Sequence, residues 1–129
     1  MTKSKLLIIE DNEQNMYLMT YLFENTEYEV HQAFNGRDGI SLARTLLPDV
    51  ILLDIELPEM DGYKIAGELK KDPELKHIQI IVVTSYAMAS DREKSYEAGA
   101  TGYIEKPINP DTFIDQVESF LKTEKSRRL

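Results

Sequence analysis

Five short apolar runs, at residues 6–9, 28–33, 50–53, 80–83 and 102–104, alternate with longer stretches in which apolar and charged positions are mixed. Such alternation predicts a parallel sheet wrapped by helices. The first, third and fourth runs are continuously apolar, as strands buried on both faces must be. The second interleaves Glu29, His31 and Gln32 and reads as an edge strand.

Helix signals fill the gaps. Residues 16–23 are apolar or aromatic at seven of eight positions, more than a one-sided stripe needs. Setting Leu18, Met19 and Leu22 against the sheet leaves Tyr17, Tyr21 and Met16 outward, as ordinary surface or as a docking patch. Asp61-Gly62 opens a helix that carries Ile65, Ala66 and Leu69 inward, and Asp72-Pro73 closes it. Ser90-Asp91-Arg92-Glu93 has capping-box spacing with Ala98-Gly99 as its stop, and Asn109 caps ahead of Pro110, a residue suited to a first helical turn. With no repeat, linker or second composition block, the expectation is one α/β domain over residues 1–129 and no output domain.

Composition then narrows the function. A chain of 129 residues can bury roughly 65–70% of its unfolded surface, so a core is available without staples. The lack of cysteine removes disulfides, thiol nucleophiles and cysteine-rich zinc sites, which fits a reducing compartment. A net charge of -8 argues against nucleic acid as a direct partner, because phosphate contacts need cations. The apolar segment before Glu10 is too short for a signal peptide or membrane span, so a cytoplasmic location is expected. Residues 122–129 hold four cations against one acid, a pattern that favours a helix C-terminus.

The candidate chemistry sits where the runs end. Glu10-Asp11 follows the first, Asp54 the third, Thr84 the fourth and Lys106-Pro107 the fifth. In an open parallel sheet the strand C-termini converge on one crevice, so these distant residues meet. Each has an ordinary reading, as a turn opener or a solvated loop; a suitable group at each of four sheet signals is the informative feature. Clustered carboxylates raise one another's pKa or recruit a cation, and hard oxygen ligands of this sort suit Mg2+. Three carboxylates, an ammonium and a hydroxyl make a metal-assisted phosphoryl site. His31 and His77 lack metal-ligand spacing and fall on an edge strand and in a loop.

Those residues carry a family resemblance. In order and spacing, Glu10-Asp11, Asp54 with Leu57-Pro58 and Met60-Asp61-Gly62, Thr84, Tyr103 and Lys106-Pro107 resemble the receiver domain of bacterial two-component response regulators, over essentially the full chain. Segments 11–16 and 85–88 are similar to stand-alone, single-domain receivers of the DivK type. The resemblance implies a flavodoxin-like (βα)5 three-layer sandwich with a five-stranded parallel sheet of order 2-1-3-4-5. It implies that Asp54 accepts a phosphoryl group from a sensor histidine kinase or histidine phosphotransfer protein. Mg2+ would be held by Asp11, Asp54 and the backbone carbonyl of Glu56, with Glu10 acting through metal-bound water. Lys106 would hold one phosphoryl oxygen and Thr84 another, Tyr103 would turn into the space Thr84 vacates, and the bond before Pro107 would be cis.

On this reading the chain is a phosphoacceptor signalling protein, and it catalyses only its own phosphorylation and dephosphorylation. Its output is contact with a downstream protein through the fourth helix, fifth strand and fifth helix, as a monomer or a phosphorylation-dependent dimer. Glu56 and Tyr86 would tune the lifetime of the phosphoryl group, a ring at Tyr86 screening water. An aspartyl-phosphate hydrolase ordinarily needs a second Asp two residues past the nucleophile, where this chain has Glu56. A flavodoxin-like cofactor carrier needs a phosphate-friendly first loop, which residues 10–13 are not. The remaining alternative is a receiver-shaped adaptor that works without phosphorylation.

Overall fold

The computed structural model describes residues 4–85 and 88–128, with side chains through residue 121. Strands and helices alternate as β1 (Ser4–Ile9), α1 (Glu13–Glu24), β2 (Tyr28–Ala33), α2 (Gly36–Leu46), β3 (Val50–Leu53), α3 (Gly62–Lys71), β4 (Gln79–Thr84), α4 (Ala89–Glu97), β5 (Gly102–Glu105) and α5 (Phe113–Arg128). The five strands form one parallel sheet of order β2-β1-β3-β4-β5, the expected flavodoxin-like arrangement. β2 lies at an edge, as its interleaved polar residues predict.

The two-residue period of the strands sorts the core into layers. Leu6, Ile8, Val50, Leu52, Ile81, Val83 and Ile104 pack against Met16, Met19 and Phe23 of α1 and Phe113, Val117 and Leu121 of α5. Leu7, Ile9, Ile51, Leu53 and Ile80 face the other way, onto Ile40 and Ala43 of α2 and Ile65, Ala66 and Leu69 of α3. Phe23 joins both ends of its layer, edge-on to Tyr28 at 5.4 Å and to Phe113 at 6.0 Å.

Three local expectations need correction. Met16 is buried and not outward, because the inward stripe of α1 runs through Met16, Met19 and Phe23, with Leu18 and Leu22 only flanking it. Tyr17 and Tyr21 do face out, 71% and 58% exposed and stacked on each other. Ser90 is not a cap: α4 starts two residues earlier than that cap would place it, at Ala89, its N-cap is Met88 without a side-chain bond, and Asp91 instead complements the helix dipole in the first turn. Ala98 ends that helix and Gly99 takes φ 105, the left-handed stop expected there. α5 starts at Phe113, because residues 110–112 form a separate turn in which the Asn109 side chain accepts from the Asp111 N–H at 3.0 Å. α2, which had no assigned cap, begins at Asn35, whose side chain accepts from the Asp38 N–H at 2.8 Å. Tyr86 and the side chains of the cationic C-terminal segment lie outside the described residues.

α3 pins the loop that follows β3. Asp61 caps it by accepting from the Tyr63 N–H at 2.8 Å, and the Gly62 N–H donates to the Ile55 carbonyl at 3.3 Å. A Cβ on Gly62 would lie 2.3 Å from the Ile55 Cα, so only glycine allows that approach; a Cβ on Gly67, in the same helix, meets nothing within 4 Å. Gly62→Ala is therefore expected to destabilise the protein by about 2–3 kcal/mol, and Gly67→Ala to stabilise it by up to about 1 kcal/mol. The urea midpoints of the two variants measured against the parent check the opposite signs.

Candidate functional site

The ladder continues one residue past the strand ends. The Glu10 N–H donates to the Ala33 carbonyl at 3.0 Å, Asp54 to Ile9 at 3.0 Å and Lys106 to Thr84 at 2.8 Å. Glu10, Asp54, Thr84 and Lys106 are thereby held at one edge of the sheet by main-chain bonds. Glu10 and Thr84 are fully buried and Asp54 is 4% exposed, whereas Asp11 is exposed.

Lys106 is the sole cation lining this cleft among the described residues. Its Nζ lies 2.7 Å from Glu10 Oε1 and 3.1 Å from Asp54 Oδ2. Burial alone would lower its pKa, but the bond to Glu10 and the charges of Asp54 and Glu10 outweigh burial and raise it, so the ammonium stays charged. Glu10 is pushed up to about 7, first by burial and then by Asp54, with Lys106 and the Asn12 N–H pulling against both. That N–H donates to Glu10 Oε2 at 3.2 Å. Glu10, Asp11 and Asp54 each bring one oxygen within 4.8 Å of the others. Three hard anionic donors against one ammonium are suited to a divalent cation such as Mg2+ or Mn2+.

Asp54 is fixed at both oxygens: Oδ2 meets Lys106, and Oδ1 accepts from the Glu56 N–H at 2.9 Å. The Glu56 side chain turns away from the acidic cluster. Its Oε1 accepts from Thr84 Oγ1 at 2.9 Å, from the Ser85 N–H at 3.0 Å and from the Ser85 hydroxyl. Burial pushes the Glu56 carboxyl up, but the Ser85 and Thr84 donors outweigh it and bring the pKa below its usual value. Ser85 was not among the expected site residues; its place directly after Thr84, one residue past β4, was the available signal.

Tyr103 is one strand from the Thr84 side chain, since Val82 pairs with Tyr103 and Thr84 with Glu105. It is buried with Ile55, Val82 and Ala100, and the Arg92 guanidinium lies 5.4 Å from its ring centroid. Among the described residues its buried hydroxyl has no hydrogen-bond partner. Of the expected residues, Glu10, Asp11, Asp54, Glu56 and Lys106 line one cleft, Thr84 is tied to it through Glu56, and Tyr103 lies outside its lining, two residues short of the end of β4 in register. The Lys106-Pro107 bond is cis. His31 is on β2 beside Glu29, at 2.7 Å, and His77 is in the turn before β4, both away from the cleft.

Known proteins resemble this chain in sequence and fold. The family pattern described as "Response regulator receiver domain" matches residues 6–118. The polar-differentiation response regulator DivK of Brucella ovis is 45% identical over 121 residues, covering 94% of this chain and 98% of that protein. The chemotaxis response regulator CheY4 of Vibrio cholerae superposes with a TM-score of 0.87 at 25% identity, covering 92% of this chain and 99% of that one. The Mn(2+)-bound form of the response regulator Rcp1 superposes with a TM-score of 0.77 at 25% identity, covering 90% of both chains. Fold, sheet-edge chemistry and likeness over most of its length agree: the chain belongs to the response regulator receiver domain family and is a DivK-like regulator of two-component signalling.

Proposed function

We propose that Asp54 is the phosphoacceptor of this receiver and that its modification switches binding to a downstream protein. The observation that carries the reading is the Asp54 carboxyl itself, nearly buried and held at both oxygens, yet lining an open cleft of about 1000 Å3. The donor is a phosphohistidine of a sensor histidine kinase or a histidine phosphotransfer protein. Such donors are charged from ATP, so the reading carries a cytoplasmic location with it. Among the described residues no helix is long and apolar enough to cross a membrane.

In the transfer, an Asp54 oxygen forms a bond to phosphorus as the phosphorus–nitrogen bond breaks, and the electron pair of that bond stays on the imidazole nitrogen. Such a reaction asks mainly for positioning and for neutralisation of charge on the phosphoryl oxygens. The Glu56 N–H and Lys106 orient the nucleophile, and the Lys106 ammonium is then placed to follow the charge onto a phosphoryl oxygen. Thr84 supplies a hydroxyl donor to another. Mg2+, which Asp11, Asp54 and the Glu56 carbonyl would hold with Glu10 acting through water, would screen the carboxylates from the incoming anion. The chain is a substrate of its own chemistry and catalyses only its own modification and its reversal.

Phosphorylation adds about 1.5–2 negative charges at the cleft. Thr84 and Tyr103 connect it to α4, β5 and α5, the face through which the downstream partner is contacted. Tyr103 is the packing element of that connection, because it lies between Val82 and the Arg92 guanidinium of α4.

Intact-mass spectrometry after incubation with Mg2+ and a small-molecule phosphodonor should show one added phosphoryl group on the parent and none on Asp54→Asn. Lys106→Ala should slow the reaction about a hundredfold, and chelation of divalent ions should abolish it. A parent protein that stays unmodified with every donor, while Asp54→Asn keeps full partner binding, would return the adaptor reading.

Metal binding should also release protons. Glu10 has its pKa raised to about 7 in the metal-free protein, and a cation favours the charged carboxylate. Apparent Mg2+ affinity should therefore rise with pH up to about 7, by at most about tenfold per pH unit, and level off above. Titration calorimetry in buffers of different ionisation enthalpy reads the proton count, and Glu10→Gln should remove it.

A further inference from the structure

The end of β4 gathers three hydrogen-bond donors: the Thr84 hydroxyl, the Ser85 N–H and the Ser85 hydroxyl. All three are directed at a single oxygen, Oε1 of Glu56. The same residue's backbone N–H holds the Asp54 carboxyl at 2.9 Å. Glu56 thus grips the acceptor with its main chain and the neighbouring donors with its side chain. A carboxylate oxygen taking several donors is a close chemical stand-in for a phosphoryl oxygen, in charge and in acceptor capacity.

We propose that Glu56 is a positioning residue whose carboxylate occupies, in the unmodified protein, the donors that a phosphoryl group on Asp54 requires, so that phosphorylation must displace it. This rests on the phosphoacceptor reading above and concerns regulation of that same site. The competition is built into the donor count. A hydroxyl and a backbone amide each have one hydrogen to give, so Thr84 Oγ1 and the Ser85 N–H cannot fully serve Glu56 and a phosphoryl oxygen together. Charge acts in the same direction: a carboxylate beside Asp54 is repelled by an arriving phosphoryl dianion. The Thr84 hydroxyl is therefore held off the acceptor until the new anion outbids Glu56 for it, and the strength of that hold sets how readily the switch is thrown.

The probe is beryllofluoride, an analogue of the aspartyl phosphoryl group, titrated into the magnesium-loaded full chain and followed by fluorine NMR of the bound species. Glu56→Gln keeps the shape but not the charge, and should lower the half-saturating beryllofluoride concentration about tenfold. Glu56→Asp keeps the charge but shortens the reach to β4, and should also lower it, by a smaller factor. Ser85→Ala should give a gain of a few-fold alone and none in the Glu56→Gln background, because its effect runs through that carboxylate. The Ser85 amide resonance should move in Glu56→Gln before any beryllofluoride is added. Half-saturation in Glu56→Gln at the parent's concentration or above, or full additivity of the Ser85 and Glu56 effects, would overturn the inference while leaving Asp54 as the acceptor. A parent chain that binds no beryllofluoride would instead remove the phosphoacceptor reading and this inference with it.

Discussion

An ammonium enclosed by two carboxylates is the constraint on which the functional edge of this sheet depends. Lys106 contacts Glu10 and Asp54 at 2.7 and 3.1 Å, and all three side chains are withdrawn from solvent. Buried charges persist only when partnered, and taking away one member of such a group leaves the others exposed to a desolvation penalty. The ion pairs therefore link β1, β3 and the segment after β5, three elements distant in sequence. They do not reach neutrality, because two carboxylates already outnumber the one ammonium and Asp11 adds a third to the cluster. The excess of negative charge makes the site receptive to a divalent cation.

Strand periodicity divides the labour of the site between two faces. Glu10, Asp54 and Lys106 follow the parity of Ile8, Leu52 and Ile104, whose side chains face α1 and α5. Thr84 follows the parity of Ile80 and Val82, on the opposite face with Tyr103. Charge chemistry thus lies on one side of the sheet edge, and Tyr103, which meets α4 through Arg92, on the other. Glu56 bridges them, with its N–H on Asp54 and its carboxylate on Thr84. A change at the carboxyl of Asp54 has a short covalent and hydrogen-bonded route to the far face.

That far face is lightly anchored. Ser95 is the single buried residue within α4. The helix is held instead by Arg92 over the Tyr103 ring, by Arg92 near Glu105 at 3.9 Å and by the Tyr63 hydroxyl donating to the Asp91 carbonyl at 3.3 Å. Exposed cation–π contacts and ion pairs contribute of order 0.5–1 kcal/mol each, less than the burial of one large apolar side chain. An element with so few buried apolar contacts belongs to the low-stability end of the fold, from which moving parts are drawn.

Apolar runs determined the central strands by themselves, because a strand covered on both faces tolerates little but apolar residues; β3 matches its run residue for residue. Asp61 and Gly62 likewise announced α3, since a cap and its first turn are local chemistry. The identities at the strand ends named the acidic cluster, the lysine and the threonine, and parallel topology required them to converge. What local pattern left open was direction. α1 is apolar almost all round, so only packing against the sheet could decide that Met16 turns in and Leu18 stands aside. Ser90 carries capping-box spacing, yet the start of α4 is set by how the chain leaves β4. Glu56 and Ser85 are ordinary residues in the sequence, and they became a bonded unit with Thr84 only when β3 and β4 lay side by side. Sequence alone determines which groups reach the edge, because burial and strand period are encoded residue by residue. Tertiary structure decides which donor meets which acceptor, because such pairing depends on distances between chain segments that no local pattern specifies.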